Sequence, residues 1–109
     1  MSESEETRSD AKRLLTLGKY CAITFPNTHS ALQAEKLLQK HGMPPFIIVP
    51  VPRAISTGCG LAVKVSPEDY MKAVDILEKA GTTISGVYNI DKLSGTIDQI
   101  MQTDQKNNG

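Results

Sequence analysis

In the stretch PRAISTGCGLAV, Pro52 to Val63, one cysteine stands between two glycines, with an arginine near the start of the loop. Cys59 can be either of two things. A thiol beside a helix N-terminus or a cation is held as thiolate, its pKa falling below the free value of about 8.5, and becomes a nucleophile. Without such neighbours, a cysteine flanking a strand packs as a small hydrophobe. Gly58 and Gly60 would let a backbone or a bound group approach the thiol closely. Arg53 could add a cation or bind an oxyanion. The second thiol, Cys21, lies in the apolar run YCAITF. The two cysteines and two histidines match no zinc-ligand spacing, so neither a metal nor a cofactor is expected.

These groups act together only if the chain folds them together. YCAITF, Tyr20 to Phe25, is rich in strand formers and stops at Pro26. Asn27 and Thr28 offer caps for a helix running to His41 and closed by Gly42. Phe46 to Val51 reads as a second strand. Pro50 and Pro52 lack N–H groups on one side of it, which makes it an edge. Leu61 to Val65 is a third strand. Ser66-Pro67-Glu68-Asp69 has the residues of a helix start, and that helix runs to Gly81. Ile84 to Ile90 is a fourth strand.

The order β-α-β-β-α-β predicts an α+β, ferredoxin-like fold: a four-stranded antiparallel sheet of order 4-1-3-2, with two helices on one face. The domain is expected at residues 19–91. Residues 1–18 read as a polar extension with room for a short helix over Ala11 to Leu17. Residues 92–109 read as a polar tail, whose Ile97, Ile100 and Met101 leave a weak helical trace.

This topology brings the start of the first helix to the end of the sheet where Cys59 enters the third strand. Period two puts Cys59 in phase with Leu61, Val63 and Val65, on the helix side. The helix end there favours a thiolate. Cys21 belongs to the other end of the sheet, too far for a disulfide, which needs Cα atoms within about 7 Å. It reads as structural. His29, in the first helical turn, faces solvent or accepts the Cys59 proton. His41, in the last turn, suits the negative helix end.

The 109 residues suit one domain. Twelve basic and twelve acidic side chains balance, and aromatic residues are only 5%, which argues against nucleic acid as a partner. No apolar run has the length of a membrane span, and MSESEETRSD is no secretory leader. A cytoplasmic protein with reduced thiols is expected, without a membrane partner.

The run from Tyr20 to Tyr88 resembles the family called putative selenium/sulfur carrier protein-like. The resemblance rests on Thr28, His29, Ser30 and Ala31 opening a helix that continues with Ala34-Glu35-Lys36. Pro50-x-Pro52-Arg53 follows, and then Ser56-x-x-Cys59-Gly60 before an apolar strand. It implies that Cys59 carries sulfur or selenium as a persulfide or selenopersulfide. Arg53, Ser56, Gly58, Gly60, Thr28, His29 and Ser30 would support it, with donor and acceptor proteins as partners. A carrier or sulfurtransferase-like subunit is expected rather than an independent turnover enzyme. Two other readings stand beside it. One is a ferredoxin-like binding or regulatory module that recognises a small anion or a protein, with a homodimer through the open sheet face as one form. The other is a redox sensor in which Cys59 forms a mixed disulfide.

Overall fold

Lys19–Thr24 forms β1, alternating between two buried environments: Cys21 and Ile23 toward the helices, Tyr20 and Ala22 away from them. The computed structural model describes residues 18–42, 44–53, 55 and 59–101. The reading of Ala11 to Leu17 as a short helix lies outside the described residues. The remaining elements are α1 (Thr28–His41), β2 (Ile47–Pro50), β3 (Leu61–Val65), α2 (Tyr70–Lys79), β4 (Gly86–Asp91) and β5 (Thr96–Met101).

Helix α1 begins and ends where its capping residues dictate. The Asn27 side-chain oxygen accepts the Ser30 N–H at 2.8 Å. Gly42 takes the left-handed conformation (φ 77°) and its N–H bonds the Leu38 carbonyl at 3.0 Å. Helix α2 begins later than the sequence predicts. Pro67 to Asp69 form a turn, closed by the Asp69 N–H on the Ser66 carbonyl at 2.9 Å, and the helix starts at Tyr70.

All strand pairings are antiparallel, in the order β2-β3-β1-β4-β5. The expected neighbours 4-1-3-2 are present, and β2 is an edge strand that ends at Pro50, with Pro52 two residues beyond it. The sheet nevertheless has five strands rather than four. Thr96–Met101 pairs with β4 through a turn in which the Asp91 carboxylate accepts the N–H groups of Leu93 (3.0 Å) and Ser94 (3.3 Å). Gly95 supplies the left-handed step (φ 78°) that turns the chain back. Residues expected as a tail with a helical trace therefore shield β4, which would otherwise be an edge.

Both helices pack on one face. Ala31, Ala34 and Leu38 of α1 and Ala73, Val74 and Leu77 of α2 close over Ile23, Val63, Val65 and Val87. The opposite face carries a second cluster of Tyr20, Ala22, Ala62 and Ile90 with Ile55.

Candidate functional site

Cys59 stands two residues before β3, at the base of the connection from β2. That base is fixed by the pairing of Pro50 with Leu61 and by the Val51 N–H on the Gly60 carbonyl at 2.9 Å. Pro52 and Arg53 begin the connection with a turn, in which the Ile55 N–H bonds the Pro52 carbonyl at 2.9 Å. Arg53 is exposed. It follows β2 by three residues, as Cys59 precedes β3 by two. Ser56 and Gly58 lie outside the described residues.

The thiol points toward the helices. Cys59 belongs to the same buried cluster as Ile23, Phe25, Ala31, Val63 and Val65. Strand β1 ends with Thr24 opposite Ala62, and α1 starts at Thr28, so this helix and Cys59 share one end of the sheet. The N–H groups of Thr28 and His29 have no acceptor within the helix. Both side chains are exposed, while Ser30 is buried with its N–H committed to the Asn27 cap. That capping bond from Asn27 is the local contact that sets where α1 begins.

Two features change the picture of an open thiol. Cys59 is 2% exposed. Its Sγ accepts the Leu61 N–H at 3.3 Å, which bends the backbone around the sulfur and aims a donor at it. Gly60 is different: it is exposed, and a Cβ placed there would meet nothing within 4 Å. Among the described residues, no close approach requires glycine at this position.

Cys21 is remote from this group. It pairs with Val65, four residues along β3 from Leu61, which is about 13 Å at the rise of a strand. Neither cysteine is in a disulfide. Burial pushes the Cys21 thiol up to about 11, so it stays protonated at neutral pH. Lys64 is a charged residue whose surroundings its position in a strand did not announce. It is 3% exposed, on the face away from the helices, with its ammonium 4.3 Å from the centre of the Tyr20 ring.

The arrangement defines a class: an α+β domain with, among the described residues, two helices on one face of the sheet, a buried cysteine at the sheet end where α1 begins and a second cysteine in the core. Within that class the chain belongs to the family described as "Putative Se/S carrier protein-like", whose model matches residues 20–89. No curated protein and no solved structure matches the chain. Among the described residues, no helix is long and apolar enough to cross a membrane.

Proposed function

We propose that this protein carries sulfur or selenium on Cys59, taking the atom from a donor protein and passing it to an acceptor in the cytoplasm. In the loading step the Cys59 sulfur attacks the outer atom of a donor persulfide or selenopersulfide. A bond forms between Sγ and that atom, the donor's bond to it breaks, and the donor leaves as thiolate. In the unloading step a nucleophile of the acceptor attacks the carried atom and Cys59 departs as thiolate. Neither step requires an outside oxidant or reductant.

The observation that carries this reading is the contrast between the two thiols. Both are buried, but Cys59 lies at the loop base, at the end of the sheet where α1 begins, with the Leu61 N–H directed at its sulfur. Cys21 is buried, pushed up to about 11 and at the far end of the sheet, so it cannot discharge a persulfide by forming an internal disulfide. Family membership supports the class of cargo. Arg53, Thr28 and His29, exposed at the same end of the sheet, are the groups a docking protein would meet first. Cys59 is 2% exposed, so a small reagent or a donor sulfur reaches it through local opening at the loop end, without global unfolding, and the carried atom is shielded from water between transfers.

The burial of Cys59 also favours a second reading, a binding or regulatory module in which Cys59 only packs. One experiment separates the two. The reduced Cys21→Ala protein is treated with a low-molecular-weight persulfide or with an alkylating reagent, and peptides are mapped by mass spectrometry. A carrier gains one sulfur atom on the Cys59 peptide while still folded, and Cys59→Ser gains none. Alkylation of the folded protein without any uptake of sulfur would refute the carrier. Resistance to both reagents until unfolding would make Cys59 a packing residue.

A further inference from the structure

Strand β2 is an edge of the sheet, and among the described residues no strand lies beyond it. One bond fixes which of its backbone groups face outward. The Val51 N–H donates to the Gly60 carbonyl at 2.9 Å, and these two residues stand opposite each other when the Pro50–Leu61 register is carried one step on. In an antiparallel pair, opposite residues exchange bonds at every second position. Ile47, Val49 and Val51 therefore turn their N–H and carbonyl groups toward β3. Phe46, Ile48, Pro50 and Pro52 turn theirs to the open edge. Proline has no N–H, so this stretch offers the donors of Phe46 and Ile48, bracketed by Pro44 before them and Pro50 after. The side chains of Phe46 and Ile48 pack on the helix-side core and stay half-buried. Beside them runs a groove of about 520 Å³, lined by Leu38, Pro44, Phe46 and Ile48 among others. It follows the half of β2 that keeps its donors.

We infer that β2 pairs with the β2 of a second copy of this chain, antiparallel about a two-fold axis through Ile47. The pattern Pro44-x-Phe46-x-Ile48-x-Pro50 is symmetric about that residue. Phe46 then stands opposite the partner's Ile48, and Ile48 opposite the partner's Phe46. Each pair exchanges both of its bonds, so every outward donor is used. Pro44 comes opposite the partner's Pro50, where neither has a donor to lose. Moving the register by two residues sets Phe46 opposite the partner's Pro50, or Ile48 opposite the partner's Pro44, and each such pair loses a bond. Prolines on an edge block longer strands from adding to it; here their symmetry selects a short, self-complementary pairing, as a two-fold interface requires. The Phe46–Ile48 pairs set an aromatic ring against a β-branched side chain, a favourable cross-strand combination. They lie on the face where each copy has its groove. The strands run antiparallel, so the two connections that carry Cys59 leave the joined strands at opposite ends. β2 falls within the residues that the family model matches, so this pairing surface belongs to the shared domain.

The test is sedimentation of the full-length reduced protein over a dilution series, with hydrogen exchange read on the segment between Pro45 and Pro50. Of its amides, those of Ile47 and Val49 are bonded to β3 in a single chain, whereas those of Phe46 and Ile48 gain acceptors on pairing. A dimer that dissociates on dilution is expected. In the dimer the Phe46 and Ile48 amides should exchange at least about tenfold more slowly than in the monomer. Ile47→Glu and Ile47→Lys each set like charges opposite one another at the axis and should weaken the dimer several-fold. Mixed in equal amounts, the two variants should recover it. A monomer at every concentration overturns the inference. So does a dimer whose Phe46 and Ile48 amides stay fast, which would seat the second copy elsewhere. Protection of these amides in a monomer also overturns it, because another part of the chain would then hold the edge. These outcomes are read on the unaltered chain, whether or not the variants fold. Folded variants that fail to recover the dimer on mixing would remove Ile47 from the axis and overturn the proposed register.

Discussion

Raising the pH should weaken this fold through Cys21. Burial raises the Cys21 value from 9.0 to about 11 in the folded protein. The folded state therefore keeps its proton after the unfolded chain has lost its own. Between these values the folded state binds more protons, so stability must fall as pH rises. The contribution is intact below about pH 8 and is lost progressively through the window from about 9 to 11. At about pH 10 the folding equilibrium shifts roughly tenfold, ~1.4 kcal/mol. Urea unfolding under reducing conditions at about pH 8, 9 and 10 measures it, with Cys21→Ala as the reference. At about pH 8 the alanine variant should be ~1 kcal/mol less stable from the space left by the sulfur, but it should lack the alkaline slope assigned to Cys21, so the gap closes as pH rises. Tyr20 and Lys64 titrate in both proteins, so the difference between the two slopes isolates the thiol. Parallel slopes would refute the argument, and with it the claim that Cys21 is inert because it is buried.

Asn27→Ala removes the acceptor for the Ser30 N–H and should cost ~1 kcal/mol in urea unfolding, with Asn27→Asp close to wild type. Thr82 buries its hydroxyl without a partner in the structure, so Thr82→Val should raise stability by ~1 kcal/mol; a loss would mean that the hydroxyl is bonded. At Gly60 an added Cβ meets nothing within 4 Å and the backbone has no positive φ, so Gly60→Val should change stability by less than about 0.5 kcal/mol. The same change puts a branched side chain on the exposed residue next to Cys59 and should slow its loading with sulfur. Unchanged loading would show that the donor approaches from another side.

The parts of the fold that sequence reading captured are those decided by local chemistry. Asn27 and Gly42 bound α1, and two prolines assign β2 to an edge. β5 was missed because Ile97, Ile100 and Met101 share the spacing of a helix, while strand pairing with β4 is a long-range matter. Its signal was nevertheless present: an aspartate four residues before a glycine, which close a turn through the Asp91 carboxylate and the left-handed Gly95. Ser66-Pro67-Glu68-Asp69 has helix-start composition, but the chain spends those residues on a turn. At the site, the placement of Cys59 on the helix side followed from strand alternation and topology. Its near-complete burial did not, and neither did that of Lys64. Exposure depends on what packs across a residue, and in a single sequence nothing marks which segments meet across a face.

The central claim is that Cys59 holds a sulfur or selenium atom in the cell. The most direct test is to trap the protein in intact cells of its own source with an alkylating reagent, isolate it and map the Cys59 peptide by mass spectrometry. The account predicts a fraction of that peptide alkylated through an additional sulfur or selenium atom, with the Cys21 peptide bare. A Cys59 peptide found only as the simple alkylated thiol, even when cells are supplied with selenium and sulfane sulfur, would contradict it.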